Sequence, residues 1–111
     1  MQREEDGYVI ISCDFCHTDW DQNLPMIEGH RGSVICLACF QQALDHASVS
    51  EDEFHCTLCQ QTLPGSVRHW SSPTTSAAVC WPDIRQAAKA FHKDKDIDFR
   101  WDPAKYPVQA T

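Results

Sequence analysis

The sequence has few basic residues and no long apolar run, and each absence excludes a class of protein. Nine Lys and Arg stand against sixteen Asp and Glu, which gives a formal net charge of −7. A surface of that sign repels a phosphate backbone, so nucleic-acid binding ranks last among the functions we consider. No apolar run approaches the roughly 18 residues that a membrane-spanning helix needs. We therefore expect a protein that does not cross a membrane and does not bind nucleic acid.

The chain also lacks the patterns that many enzymes need. It has no Gly-rich loop followed by Lys and Ser or Thr, which is the pattern that binds nucleotide phosphates. No nucleophile and general base stand in an evident partnership. We therefore predict that the protein is not an enzyme.

The cysteine count and the first residues both bear on the redox compartment. Seven cysteines are an odd number, so they cannot all pair in disulfide bonds. The first residues, Met-Gln-Arg-Glu-Glu-Asp, are acidic where a secretory signal is basic and then apolar. In a reducing compartment, thiols spaced Cys-x2-Cys bind metal more often than they form disulfides. We expect a cytoplasmic protein whose cysteines are reduced.

The cysteines form three Cys-x2-Cys pairs and one single residue that is followed by Asp three positions later. The gaps between successive members of this pattern are 19, 16 and 20 residues. The chain therefore contains one unit twice, made of a Cys-x2-Cys pair, about twenty residues and a second pair of ligands. In chain order the members are Cys13 and Cys16, Cys36 and Cys39, Cys56 and Cys59, and Cys80 with Asp83.

This repeat predicts the domain organisation. Residues 1–47 form a first zinc-binding unit with four cysteines, and residues 54–98 form a second unit with three cysteines and an Asp or His. The polar residues 48–53 are predicted to link the units, and residues 99–111 to form an extended tail. Domains below about 40 to 60 residues usually need a metal, disulfides or a partner to fold. We therefore expect metal to stabilise both units.

Two amphipathic helices are predicted, one after Cys36 and one after Cys80. Apolar residues recur there at helical spacing, and Pro82 suits the first position of the second helix. The second helix should fade in the charged run 92–98. The apolar stripes are Leu37, Phe40 and Leu44 in the first helix and Ile84, Ala88 and Phe91 in the second.

Short strands are predicted at residues 8–12, 33–35 and 77–79, and the segment 101–107, which contains two prolines, is predicted to be extended. The predicted fold class is small α+β, stabilised by zinc. It contains two tandem treble-clef-like units, each made of a β-hairpin and a short helix. In such a unit a tight turn presents two ligands, and the first turn of the helix presents two more at i and i+3.

The first predicted zinc site consists of Cys13, Cys16, Cys36 and Cys39. Four thiolates in two separated pairs complete a tetrahedral shell and leave no open position for a substrate. Such a closed site indicates a structural metal ion.

The second predicted site consists of Cys56, Cys59, Cys80 and a fourth ligand that the sequence leaves open. The repeat register favours Asp83, because carboxylate oxygen is an accepted donor to zinc. Ligand preference favours His69, halfway along the intervening loop. His55, His30 and a water molecule are further candidates, and a bound water would reopen a catalytic role.

The stretch from Cys13-Asp-Phe-Cys16 through Ile-Glu-Gly-His-Arg-Gly-Ser-Val-Ile-Cys36-Leu-Ala-Cys39 resembles the N-terminal four-cysteine zinc-binding domain of the ClpX unfoldase. The resemblance covers about 35 residues. It implies a treble clef that dimerises and recognises substrates and adaptors. Two such units in one chain would form within the chain the pair that ClpX forms between chains.

Two further families resemble parts of the pattern. The ending Cys80-x2-Asp83 is similar to the second finger of LIM domains, where Asp closes the zinc shell, although the 16 residues between the units depart from LIM spacing. The order of His30, Cys36-x2-Cys39 and Cys56-x2-Cys59 resembles a RING finger with interleaved sites, although that arrangement leaves Cys80 unused.

These patterns predict a small adaptor or protein–protein interaction module that binds two zinc ions, with a RING-like ubiquitin-ligase module as the alternative. Residues 1–55 carry a net charge of −9 and residues 56–111 a net charge of +2, so the two halves are complementary. We expect either a homodimer or an intrachain pseudo-dimer. Trp20 or Trp101 would serve as an exposed anchor for a protein partner.

Overall fold

The computed structural model describes residues 2–20, 24–97 and 99–100, and the predicted small α+β fold is confirmed. Within these residues, eight short strands pair into four antiparallel two-stranded hairpins, and neither helix has the length and apolar content to span a bilayer. The predicted extended segment 101–107 lies outside the described residues. The elements are β1 (Gln2–Glu5), β2 (Tyr8–Ile11), β3 (Met26–Glu28), β4 (Val34–Cys36), α1 (Leu37–His46), β5 (Phe54–His55), β6 (Thr62–Leu63), β7 (His69–Ser71), β8 (Ala78–Cys80) and α2 (Trp81–Lys93).

The β1–β2 hairpin closes through a two-residue turn at Asp6 and Gly7. Both residues have positive φ angles, of 51° and 83°, and such turns match the twist of the flanking strands. Asp and Gly tolerate this conformation better than other residues, which explains why the turn falls here. The turn sets the register that pairs Glu5 with Tyr8.

Each helix follows directly on a strand that ends in a cysteine. Strand β4 ends at Cys36 and β8 ends at Cys80, one residue later than the strands predicted at 33–35 and 77–79. Each cysteine is also the N-cap residue of the helix that follows, with an extended backbone conformation. The third predicted ligand of each unit therefore lies at the end of a strand, and Cys39 or Asp83 lies in the first helical turn.

The polar segment predicted as a linker lies against the second unit. Ser48 pairs with His69 in an isolated antiparallel bridge, and the amide of Ser50 donates to the carbonyl of Gly65 at 2.9 Å. Sequence pattern alone missed β1, β3, β5, β6 and β7, because strands of two to four residues are too short for a clear alternation of polar and apolar side chains.

A single hydrophobic cluster draws on both halves of the chain, and helices α1 and α2 meet in it. Phe40 of α1 lies 5.0 Å from Phe91 of α2, measured between ring centroids. Phe99, at the start of the predicted tail, meets the same Phe40 ring edge-on at 5.0 Å. Since each half alone has few apolar residues, the shared cluster gives both halves a core that neither has the side chains to form separately.

Candidate metal centres

The first Cys-x2-Cys pair forms a tight turn that aims both sulfurs to one side. The amide of His17 donates to the carbonyl of Cys13 at 2.8 Å, and the amide of Cys13 donates to the carbonyl of Thr18 at 2.9 Å. His17 has a positive φ of 62°, which reverses the chain direction after Cys16.

The second pair repeats this turn. The amide of Gln60 donates to the carbonyl of Cys56 at 2.9 Å, and the amide of Cys56 donates to the carbonyl of Gln61 at 2.8 Å. Gln60 has a φ of 60°, matching His17 at the equivalent position. The repeat that the cysteine spacing predicts is therefore a repeat of backbone geometry as well.

The residue after the first cysteine of each turn ties the turn to its hairpin. The backbone amide of Asp14 donates to the carbonyl of Val34, and a carboxylate oxygen of Asp14 accepts from the amide of Val34 at 2.7 Å. In the second unit, Thr57 donates to the carbonyl of Ala78 and its hydroxyl accepts from the amide of Ala78 at 3.1 Å. Asp14 and Thr57 were not among the predicted site residues, although both units carry a short polar side chain directly after the first cysteine of the turn.

These contacts bring four sulfurs together in the first unit. The ligand atoms of the four cysteines all lie within 4.8 Å of one another, and Cys16 Sγ lies 3.8 Å from Cys36 Sγ. The Sγ of Cys13 accepts from the amide of Cys36 at 3.4 Å, and the Sγ of Cys36 accepts from the amide of Cys39 at the start of α1. Amides directed at sulfur stabilise the thiolate, as does the N-terminal end of a helix. The cluster consists of Cys13, Cys16, Cys36 and Cys39.

Without a cation, these sulfurs hold their protons very unequally. The thiol of Cys36 donates to Cys13 and, together with backbone amides, lowers the pKa of Cys13 to about 5 against the opposing effect of burial. The same hydrogen bond and burial raise the pKa of Cys36, and burial raises the pKa of Cys39 to about 12. One thiolate therefore forms readily and its charge opposes the next ones, so a bound cation is needed before the whole cluster ionises.

In the second unit, Asp83 completes a cluster with three cysteines. Asp83 follows Pro82 in the first turn of α2, and Asp83 Oδ2 lies 3.2 Å from Cys56 Sγ. The amide of Cys80 donates to Cys56 Sγ at 3.4 Å, matching the contact between Cys36 and Cys13. All four ligand atoms, those of Cys56, Cys59, Cys80 and Asp83, lie within 4.8 Å of one another.

The thiols of the second cluster repeat the pattern of the first. A hydrogen bond from Cys80, opposed by burial, lowers the pKa of Cys56 to about 6. The same hydrogen bond raises the pKa of Cys80, and burial raises the pKa of Cys59 to about 11. The two clusters therefore share one electrostatic design, in which the first cysteine of the turn ionises most readily.

The structure does not bring His69, the second candidate for the fourth ligand, to this cluster. Its side chain is buried, its Nδ1–H donates to the carbonyl of Val67 at 2.7 Å, and its Nε2 lies 3.5 Å from the hydroxyl of Ser50. The ring stacks on Phe54 with 3.9 Å between centroids. His69 is therefore held by contacts of its own, beside the cluster on strand β7.

The remaining histidine candidates also lie apart from the two clusters. The ring nitrogens of His55 lie 3.4 Å from the hydroxyl of Thr62 and 3.3 Å from the side-chain oxygen of Gln60. His30 meets the second unit through its backbone, because its amide donates to the carbonyl of Leu58 at 2.8 Å.

Two tryptophans lie close to the clusters. Trp81 follows Cys80 directly and is 2% exposed. The guanidinium of Arg68 lies over the Trp81 ring, with its Cζ 4.5 Å from the ring centroid. Trp70 stacks on Phe15, which lies inside the first Cys-x2-Cys turn, with 5.8 Å between centroids.

In chemical terms, each of the two clusters could hold one metal ion with four protein ligands. Three or four sulfur donors suit a soft or borderline cation that prefers tetrahedral geometry. Comparisons of the chain with protein-family models, with curated proteins and with solved structures find no match.

Proposed function

We propose that the protein is a structural zinc module that presents a surface for binding another protein. The observation that carries the proposal is the convergence of two closed sets of four ligands, one with four sulfurs and one with three sulfurs and a carboxylate oxygen. Zn²⁺ is the ion that sets of this composition and number bind most commonly as structural sites. Protein atoms would occupy all four coordination positions of each ion, so neither ion would have a position open to a substrate.

We further propose that each unit is a treble clef, with the ClpX-type domain as an analogue of the first unit and the LIM finger as an analogue of the second. In both units a turn with two cysteines, a hairpin and a helix follow one another in that order. The shared hydrophobic cluster supports an intrachain pseudo-dimer, because the two units cover each other's apolar surface.

The grouping of ligands favours sequential sites over the interleaved RING-like arrangement. In a RING-like arrangement, His30 would join Cys56 and Cys59. In the structure those two cysteines lie with Cys80 and Asp83 instead, and Cys80 is used. A ubiquitin-ligase role therefore ranks behind the adaptor role.

We assign the partner-binding surface of this protein to the β1–β2 hairpin and to Trp20, whose amide donates to the carbonyl of Ile11 in β2. Tyr8 is 74% exposed, Val9 is 62% exposed and Trp20 is 51% exposed, so three large apolar or aromatic side chains are open to solvent in this region. Trp20 is one of the two tryptophans that the sequence predicts as an anchor. Because the first half of the chain carries a net charge of −9, we propose a partner segment that combines basic and apolar residues.

The zinc part of this proposal is tested by counting metal and by removing it. Native mass spectrometry of the reduced protein should show two zinc ions per chain. A strong chelator should abolish the circular dichroism of the folded protein, because metal binding and folding are coupled in domains this small. A metal-free protein that keeps the same spectrum would refute the proposal.

The interaction part is tested with synthetic peptides that alternate lysine and leucine. They should bind the zinc-loaded protein with an affinity that falls as salt is added, and Trp20→Ala should weaken that binding. Peptides with glutamate in place of lysine are the matched control. Equal binding of both peptide sets, or full binding by Trp20→Ala, would contradict the assigned surface.

A further inference from the structure

Each metal-binding turn is held by the hairpin of the opposite unit. Phe15 and Leu58 occupy the same position in the two turns, two residues after the first cysteine. The carbonyl of Phe15 accepts from the hydroxyls of Ser72 and Thr74, both in the second unit. The carbonyl of Leu58 accepts from the amide of His30, in the first unit. Each unit therefore donates hydrogen bonds to a backbone carbonyl at the same position in the turn of the other unit.

The contact on the first turn is the more extensive of the two. The hydroxyl of Thr75 donates to the carbonyl of Asp14 at 2.9 Å, next to the contact that Thr74 makes with Phe15 at 3.1 Å. The ring of Trp70 adds its stack on Phe15. Three hydroxyl groups from one loop of the second unit therefore satisfy two backbone carbonyls that lie between Cys13 and Cys16.

The contact on the second turn is closer but has fewer hydrogen bonds. A Cβ atom placed on Gly29 would lie 2.8 Å from the carbonyl oxygen of Leu58 and 3.0 Å from its Cα. Only a residue without a side chain permits this approach, and the neighbouring amide of His30 makes the hydrogen bond. The first unit therefore packs its backbone directly on the turn that carries Cys56 and Cys59.

We infer that the two metal sites are coupled, so that a metal ion in either unit raises the affinity of the opposite unit for metal. The inference deepens the proposed function and rests on its zinc sites. A turn must adopt its ligand-presenting shape to bind metal, and contacts that hold this shape lower the cost of binding. Because those contacts come from the opposite unit, a unit ordered by its own metal supplies them to its partner. The coupling is reciprocal, since each ion must affect the affinity for its counterpart by the same factor.

Hydrogen bonds set the size of the effect. One intramolecular hydrogen bond typically changes an equilibrium constant by about fivefold. Loss of the donors Ser72 and Thr75 from the second unit should therefore weaken metal binding at the first site by roughly tenfold or more. Because the coupling is reciprocal, the affinity of the second site with the first ion bound should fall by the same factor.

A crossed pair of variants tests the inference in the full chain. Ser72→Ala/Thr75→Val removes contacts on the first turn, and Gly29→Ala disturbs the contact on the second turn. Each variant should weaken the binding of whichever ion enters second, so that protein with one ion accumulates. Ser76→Ala is the matched control, because Ser76 is an exposed residue of the same loop as Ser72 and Thr75. Titration with Co²⁺ follows both sites, since four-sulfur and three-sulfur sites have different absorption spectra, and native mass spectrometry counts the ions bound.

The outcomes separate the inference from the proposed function. A wild-type titration that passes mainly from no ion to two ions, together with variants in which protein with one ion accumulates, supports coupling. A wild-type protein in which the two sites fill independently, or variants that titrate as the wild type does, overturn it while the zinc sites stand. A wild-type protein that binds fewer than two ions overturns the proposed sites themselves.

Discussion

Replacement of Asp83 by Ala should empty the second metal centre while the first keeps its ion. Structural zinc sites in small domains have apparent binding free energies of about 10–16 kcal/mol at neutral pH, shared among four ligands. One ligand therefore contributes roughly 3 kcal/mol on average, which corresponds to about a hundredfold in affinity. Asp83 is a half-buried carboxylate whose oxygen lies 3.2 Å from Cys56 Sγ, and among the described residues the second cluster holds no fifth ligand to replace it.

The assay is competition for zinc against a chelator of known affinity, with ions per chain counted by native mass spectrometry. His69→Ala is the control, because it removes the rival candidate for the fourth ligand. Loss of the His69 contacts with Val67 and Phe54 should cost about 1–3 kcal/mol of folding free energy and leave both ions bound. If His69→Ala loses the second ion and Asp83→Ala keeps it, the assignment of the ligand is wrong.

Two further predictions concern the shared core and pH. Phe40→Ala should lower the free energy of unfolding of the zinc-loaded protein by about 4 kcal/mol, measured by chemical denaturation. The reason is that Phe40 is 0% exposed and contacts both Phe91 and Phe99. A loss below about 1 kcal/mol would contradict the shared core. Acidification should release the ions. Protons compete with the cation for the thiolates. In the metal-free chain, folding lowers the pKa of Cys13 from 9.0 to about 5 and that of Cys56 to about 6, so the folding stability linked to these two thiolates is fully present above pH 9.0 and is lost as pH falls through 6 and 5. Retention of both ions below about pH 4, measured by metal analysis after dialysis, would contradict this dependence.

Patterns that repeat at short range were predictable from the sequence. The starts of both helices follow from Cys36 and Cys80 with the apolar stripes behind them, and the structure has α1 and α2 at these places. The strands before them were predicted one residue early, because the alternation of side chains over three residues does not define an end.

The repeat register favoured Asp83 over His69, but the sequence left both residues open as the fourth candidate ligand. Both residues stand at spacings that a flexible chain permits. In the structure the register of β7 places His69 opposite Cys80, where the ring is held by Val67 and Phe54. The first turn of α2 meanwhile brings the Asp83 carboxylate to Cys56.

The amino-acid sequence by itself determined that this chain has two repeated sets of candidate ligands, since spacing along the chain decides which side chains a tight turn or a helical turn presents together. Only the tertiary structure decided that the units share one core and that the loop carrying Ser72 and Thr75 lies on the turn of Cys13 and Cys16. The physical reason is range: hydroxyl-to-carbonyl contacts between residues about sixty positions apart leave no periodic signal, and they form only when the apolar faces of both units have been buried against each other.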